Sequence, residues 1–590
     1  MKQYQDIIKE LSAAAEKLSR KDRQISVLRL LCLVSAVILI SQYFRNTQLI
    51  WLICGGLAIV AFGLVIKYHS SVRWLLQFYR EKIRINEEEL SFLNGDLSAL
   101  DAGKEFIKHD HPYSFDLDFF GEHSLYHSLN RTATFSGKNK LASTLLQIAS
   151  NEEILARQDA LKELTPKLEW RQTFTSLARM YPDSKESFGE LMEWSMQPAL
   201  RINRFLKTLM YALPTAMLTS FVLYLFTSSS LFGNLSGLLF LINLAILGSF
   251  TKTIKKELVD TTKIEKILKQ YAFLLKEIEH HTFETKELQE LQRLLDNNGQ
   301  NASVAIHQLA TLFGRMEHVA NVFASPLLNG ALLYHVHVLL QLSSWRRKHS
   351  YDIKNWLEVI GEMETRLSLA NFCFNNAEYT FPSLNQSFDI RFEDLGHPLI
   401  AKEKSVTNSV DFRANRFFIL TGSNMSGKST FLRTVGVNMV LAGIGAPVVA
   451  TKADVHPLPI HVSMRLSDSL TDSESYFYAE VKRLKSIMDQ LDQGPCFVLL
   501  DEILRGTNSD DKRNGTIEVI RKMALKEAYG GIATHDLEVC KTTDEFPTTL
   551  VNKRFEVEII NDELVFDYRL KEGICENKSA SFIMQKMGVI

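Results

Sequence analysis

The sequence predicts a multidomain protein in which an α-helical core carries two transmembrane helical hairpins and is followed by a C-terminal α/β P-loop domain. Three observations predict it. A strand-length apolar run, Phe417 to Leu420, leads through Gly422-Ser-Asn-Met-Ser-Gly-Lys-Ser429 into a helical segment. Four long uncharged apolar runs fall in two close pairs before residue 251. In the segments about 120–200 and 251–375, apolar residues recur at three- and four-residue spacing (Leu268, Tyr271, Leu274, Leu275, Ile278), with few strand signals. At 590 residues the chain is too long for one core.

The pattern divides the chain into an amphipathic helix (1–25), a first hairpin (26–68), a helical connector (69–109), the first part of the core (110–207), a second hairpin (208–250), the second part of the core (251–380) and the α/β domain (381–590). Residues 1–25 place Ile7, Ile8, Leu11 and Leu18 among Lys and Glu at helical spacing. They are charged throughout, unlike a signal peptide. Leu30 to Phe44 and Leu49 to Ile66 follow, separated by Arg45-Asn-Thr-Gln48. With Val27 to Arg29 extending the first, each makes a helix of roughly 25–30 Å, long enough to cross a hydrocarbon core.

The second pair is Thr208 to Phe226 and Leu231 to Phe250, joined by Thr227-Ser-Ser-Ser230. Pro214 and Gly237 within it are better tolerated in membrane helices than in soluble ones. Basic residues flank both pairs on their outer ends (Lys17, Arg20, Lys21, Arg23; Lys67, Arg73, Arg80; Arg201, Arg204, Lys207; Lys252, Lys255, Lys256), whereas the two turns carry only Arg45. The positive-inside tendency therefore keeps the N-terminus, the helical core and the α/β domain in the cytoplasm of a cell with a multi-pass inner-membrane protein. The plain alternative is four buried helices of a large soluble core.

The connector, with Trp74, Leu75, Phe78 and then Glu87-Glu-Glu89, reads as a solvated juxtamembrane helix or short coiled coil. His109, His111, His123 and His127 lie near Asp110, Asp116 and Asp118, a composition that suits a metal. Against it, His111 precedes Pro112 in a turn and the carboxylates alternate with apolar residues. Sixty-seven basic residues against 68 acidic leave a net charge of −1, so no global field attracts nucleic acid. The six cysteines contain no C-x-x-C and read as free thiols in a reducing compartment.

The chemistry concentrates in the α/β domain. Gly422 to Ser429 satisfies G-x-x-x-x-G-K-[ST] in the strand-to-helix context that gives the pattern its mechanism. Backbone N–H groups of Gly422, Ser423, Asn424, Met425, Ser426, Gly427 and on to Thr430 can cradle phosphate oxygens at a helix N-terminus. Lys428 would reach the β and γ phosphates of ATP, and the Ser429 hydroxyl would ligate Mg²⁺. Cys496 to Leu500 is a buried-strand run ending in Asp501-Glu502, where Asp501 holds the metal's water shell and Glu502 activates water. Gly530 to His535 reads as a short strand delivering His535 to the γ-phosphate. Together these predict a nucleotide hydrolase.

Gly422 to Thr430, Asp501-Glu-Ile-Leu-Arg-Gly-Thr507 and Ala533-Thr-His535 resemble the ATPase domain of the DNA mismatch-repair MutS family, related to ABC-type ATPases. Ser475-Tyr-Phe-Tyr-Ala-Glu480 is similar to that family's signature segment. The resemblance implies that Ser475 completes the ATP site of a partner subunit, hence a homodimer. It extends to Leu395-Gly-His-Pro-Leu399 before the loop, to Leu129-Asn-Arg-Thr-Ala-Thr134 with Gly137 at the start of the helical core, to Ile360 to Ala370 with Tyr379 to Pro382 at the junction, and to the C-terminal run from Glu572 to Gly588, which resembles the family's closing strand and helix.

The sequence departs from the family pattern at Ser423 (usually proline), Ser426 (usually glycine) and Leu504 (usually glycine), none of them a catalytic group. Nothing before residue 110 resembles the family's mismatch-reading or connector domains. DNA binding, to mismatched or structured DNA, is implied by resemblance only. The alternatives are an ATPase that acts on a membrane or envelope partner without DNA, and an ABC-like transporter subunit; the second is disfavoured because no span carries a charge in its middle.

Overall fold

The computed structural model describes residues 1–200, 202–257, 261–297, 299–317, 324–423, 425–465, 476–560 and 563–575. Lys2–Asn46 is one helix that runs unbroken through residue 25, and Leu49–Leu93 returns along it as a second. The continuity has a simple cause: residues 1–46 contain neither Gly nor Pro, so nothing ends the helix before the αL residue Thr47 (φ 51°). The apolar parts of both helices lie exposed, with Val37 62% and Leu64 65% accessible. Where polarity returns, Asp22 holds His69 Nε2 at 2.8 Å and Arg73 Nε at 3.0 Å across the pair.

Beyond that point the pair is a stalk docked on the helical body, rather than the solvated connector expected from composition. Glu88 and Glu89 are buried. Glu89 receives Arg131 Nε at 2.5 Å, Asn371 Nδ2 at 2.9 Å and Asn375 Nδ2 at 3.1 Å, while Arg179 binds Glu88 at 2.5 Å. The Tyr4 hydroxyl, buried at the far end of the first helix, donates to Asn375 Oδ1 at 2.8 Å. Carboxylates tolerate this burial because each is paired and hydrogen-bonded.

The second pair is Arg204–Thr227, with Pro214 inside it, and Ser230–Glu257. The four long apolar helices are of a length and composition that can cross a membrane. At the base of the second pair, Glu257 receives Trp194 Nε1 at 2.7 Å and Arg346 at 2.5 Å, all buried. Around this base the body is helical; Thr261–His280 packs on Ala302–Glu317, and Asp352–Asn375 packs on Phe135–Leu145. At the second contact, Glu364 accepts the backbone N–H groups of Ala133 and Thr134 and the Thr134 hydroxyl. Complete burial pushes its carboxyl up to about 7.

The C-terminal α/β unit contains a six-stranded sheet in the order Glu563–Glu572, Leu550–Ile560, Phe417–Thr421, Tyr529–Ala533, Phe497–Asp501, Ile460–Ser463. Its strands are parallel except for the antiparallel edge Glu563–Glu572. The fully buried strands Phe417–Thr421, Phe497–Asp501 and Tyr529–Ala533 sit together, as continuous apolar runs demand. Gly530 is required there, since a Cβ would overlap the Val498 carbonyl. A smaller four-stranded sheet stands alongside.

One continuous apolar core runs from the helical body into the sheet, including Leu117, Leu129, Leu369, Val435 and Leu499. The segment 111–119 is the bridge. Asp116, fully buried, accepts the backbone N–H groups of Met464 (2.7 Å) and Arg465 (2.8 Å) and the Arg483 guanidinium (2.6 Å). Asp118 pairs with Arg465 at 2.5 Å. His111 and His127 are spent on backbone contacts, Nε2 to Leu146 O and to Leu97 O. Of the residues weighed as metal ligands, Asp116 and Asp118 thus hold the junction instead, and among the described residues no group of three or more potential ligands assembles.

Candidate active site

Three neighbouring strands end at one place. Phe417–Thr421 runs into the glycine loop, Phe497–Asp501 ends on the carboxylate pair, and Tyr529–Ala533, which lies between them, leads to His535. Parallel strands share the direction of their C-terminal ends, so residues far apart in sequence converge there. Ser429 Oγ donates to Asp501 Oδ2 at 2.5 Å. Lys428 Nζ donates to the carbonyl oxygens of Gly422 and Ser423, both at 2.9 Å, and lies 3.3 Å from His535 Nε2. Burial lowers the Lys428 ammonium from its ordinary range.

The loop is shaped for close approach. Gly427 takes φ 96°, and a Cβ there would press 3.0 Å from the Tyr568 ring. Met425 also adopts a left-handed φ, 68°, and is exposed at the loop's crest. Gly427 caps the buried helix Lys428–Gly443, which turns its N-terminus toward the loop. The hydroxyl oxygens of Ser423 and Ser426 are buried without a hydrogen-bond partner. Asn424 lies outside the described residues.

Glu502 stands with φ 48°, and its Oε1 is 2.7 Å from His535 Nε2. That hydrogen bond, reinforced by Arg505 at 3.3 Å, lowers the Glu502 carboxyl to about 2. Leu504 keeps a left-handed φ of 61° where the family pattern has glycine. Its N–H and that of Arg505 are both held by the carboxylate of Glu480, at 2.8 and 3.0 Å. Glu480 belongs to the helix Tyr476–Leu491, so the turn after the carboxylate pair is tied to the helix that follows Ser475. Ser475 itself lies outside the described residues.

Beside the loop opens a cavity of about 560 Å³, lined by Gly427 to Thr430 and, from other elements, by His397, Ile400, Asn408, Phe555 and Tyr568. Burial holds the His397 imidazole at about 4, hence neutral at physiological pH. Asn408 bonds the Tyr568 carbonyl at 3.0 Å and the Leu570 N–H at 2.7 Å, fixing the strand that carries Tyr568. Sequence reasoning missed Tyr568, Asn408 and Glu480 as parts of the site. Glu480 was visible within the signature segment; Tyr568 and Asn408 carry no motif and reach the site only through strand pairing.

The strand order, the glycine loop and the converging Lys, Ser, Asp, Glu and His side chains thus form one site at the strand ends of an α/β unit, joined here to a helical body. The family model described as "MutS domain V" matches residues 418–589. Similar proteins include "MutS protein homolog 4" of Homo sapiens, 26% identical over 42% of this chain and 27% of that protein. "DNA mismatch repair protein MutS" of Protochlamydia amoebophila (strain UWE25) is 31% identical over 37% of this chain and 27% of that protein. "Endonuclease MutS2" of Streptococcus sanguinis (strain SK36) is 27% identical over 43% of this chain and 32% of that protein. The matches thus span about a quarter to a third of the length of these curated relatives. By the domain V match over residues 418–589 and by these relatives, the chain is similar to proteins of the MutS family.

Proposed function

We propose that this protein is a membrane-anchored, MutS-type ATPase that hydrolyses ATP in a composite dimer site. The observation that carries the reading is the convergence of Lys428, Ser429, Asp501, Glu502 and His535 at adjoining strand ends, within a domain matched as MutS domain V. The loop N–H groups and the N-terminus of Lys428–Gly443 bind the phosphates, and Lys428 exchanges its loop carbonyls for β and γ oxygens. The two unpartnered serine hydroxyls fit a loop built to receive acceptor oxygens.

Ser429 and Asp501, already in contact, are the pair suited to Mg²⁺, one directly and one through water. When bound, that ion neutralises charge on the transferring phosphoryl group. Glu502 orients the attacking water and takes its proton, and His535, between Glu502 and Lys428, contacts the γ-phosphate. Ser475 would complete the site of a second copy. ATP contacts across two subunits then favour a closed homodimer, and hydrolysis removes that differential contact.

The two hairpins are read as entering the membrane from the cytoplasmic side. Coupling to mismatched or structured DNA is proposed from the relatives, whose printed names include DNA mismatch repair. Coupling to a membrane or envelope partner without DNA is the second reading. A specific observation favours keeping it: Asn371 and Asn375, on the long helix before the α/β domain, both bind Glu89 on the first hairpin's stalk. ATPase turnover of the detergent-solubilised protein, alone and with homoduplex, mismatched, branched or single-stranded DNA at two salt concentrations, separates the two. Modulation by one DNA form that weakens with salt supports the first reading. Turnover indifferent to every DNA supports the second, and no Mg²⁺-dependent turnover at all overturns both.

A further inference from the structure

Residues 324–345 contain no Asp, Glu, Lys or Arg, and they lie within the segment whose spacing predicts helical core. They fold as a broken helix, Ala324–Leu332 followed by Tyr334–His349, with the break at Leu333 in a left-handed φ of 48°. The broken helix packs against the second hairpin within its apolar length. Gly330 lies against the Phe240 ring, so closely that a Cβ would overlap it, and its carbonyl accepts Asn243 Nδ2 at 2.7 Å. Nearer the charged base, Leu333 and Val336 cluster with Met210, Ile246 and Phe250, and His337 meets the edge of Tyr211 at 4.6 Å.

These contacts give a depth. Asn243 precedes Lys252, the first charge after the hairpin's apolar run, by roughly 13 Å of helix. Gly330 therefore sits nearly halfway into a hydrocarbon core of about 30 Å. Exposure follows the same gradient. The exposed residues of the deep half are Pro326, Leu327 (65%) and Leu332 (41%), those of the shallow half are Gln341 and Ser344, and Arg347 and Lys348 stand exposed immediately after. Asn329 ties the break together within the protein: its O accepts from Leu333 N (2.8 Å), its Oδ1 from His335 N (3.0 Å), and its Nδ2 bonds Ser325 O (2.7 Å). Irregular backbone needs such internal partners at membrane depth, where water cannot supply them.

We propose that residues 324–345 form a re-entrant element that dips into the cytoplasmic leaflet beside the second hairpin and exposes Pro326, Leu327 and Leu332 to lipid acyl chains. The inference rests on the membrane reading of that hairpin, and its test separates the two. Leu327→Cys and Leu332→Cys, with Tyr351→Cys (83% exposed) and Phe226→Cys (86% exposed) as references, are reconstituted in sealed phosphatidylcholine vesicles with the ATPase domain outward; the unsubstituted chain supplies the background from its own thiols. A membrane-impermeant maleimide added outside should modify Tyr351→Cys readily and the Leu327→Cys and Leu332→Cys thiols at least about tenfold more slowly, since the reactive thiolate does not form in hydrocarbon.

Bimane attached to Leu327→Cys before reconstitution should be quenched by lipids carrying a doxyl group in the acyl chain. Leu327→Cys reacting as fast as Tyr351→Cys, while Phe226→Cys reacts only from the lumen, would overturn the re-entrant element and leave the hairpin intact. Protection without doxyl quenching would mean that another protein surface covers this face, which also overturns it. Phe226→Cys reacting from outside would sink the hairpin reading itself.

Discussion

Ser429 Oγ and Asp501 Oδ2 lie 2.5 Å apart, although 72 residues separate them in the chain. The strands that lead to them, Phe417–Thr421 and Phe497–Asp501, are not neighbours, because Tyr529–Ala533 is inserted between them, and it is this insertion that delivers His535 to the same point. The pair is thus in contact before any ligand, as the proposed Mg²⁺ and phosphate site requires.

Asp501→Ala should abolish Mg²⁺-dependent turnover, a loss of about a hundredfold or more if the carboxylate stabilises developing charge. Nucleotide binding measured in EDTA with a fluorescent ATP analogue should survive, since the loop and Lys428 are untouched. Equal turnover in the variant and the parent chain would remove Asp501 from the site.

The Glu502 and His535 contact sets a pH dependence. With His535 in place, the Glu502 carboxyl is held at about 2, so it stays ionised and able to accept a proton well into acid. In His535→Ala the principal cause of that depression is gone, and the carboxyl should return toward the ordinary 4.5. The acid limb of the turnover profile should therefore move to higher pH in the variant, and Glu502→Gln should lower turnover by about 10²–10⁴-fold across the whole range. An acid limb at the same pH in both proteins would show that this hydrogen bond does not govern the base.

Asp116 joins the helical body to the α/β domain by accepting two backbone N–H groups and Arg483 while fully buried. Asp116→Ala leaves those donors without their partner and should cost about 3–5 kcal/mol, the range for breaking a buried pair by removing one side. Thermal unfolding of the detergent-solubilised protein should show the loss as a lowered midpoint, with a smaller drop for Asp116→Asn. A midpoint within error of the parent in Asp116→Ala would contradict the buried junction.

Removing residues 26–68 and rejoining the two stalk helices with a short Gly-Ser turn should preserve ATPase turnover, because Tyr4, Glu88 and Glu89 keep their places on the body. Removing residues 208–250 should not give a well-behaved soluble protein, since it strips the cover from Leu333 and Val336. Size-exclusion profiles and turnover of the two deletions read the difference, and monodisperse, active protein from the second would count against the packing of 324–345 on that hairpin.

The legible parts of this protein were those whose physics is local. Gly422 to Ser429 between an apolar run and a helix, and Asp501-Glu502 closing another apolar run, announce their strands and chemistry within a few residues. The membrane-length runs were legible because their length and lack of charge are themselves the signal. Glu88 and Glu89 were misplaced in solvent because their partners, Arg179, Arg131, Asn371 and Asn375, come from remote helices. Residues 324–345 fall in the predicted helical core, but their packing on the second hairpin is not legible there because each half is too short to read as a span.

The sequence by itself determined the apolar runs, the glycine loop, the carboxylate pair and the absence of helix breakers through residue 46, since each is a property of neighbours along the chain. Only the tertiary structure decided that Tyr568 faces the loop, that Glu480 holds the turn after Asp501-Glu502, that Asp116 clamps two domains, and that a broken helix leans on the second hairpin. Those are contacts between distant segments, set by strand order and by the need to pair every buried polar group, and no local pattern encodes them.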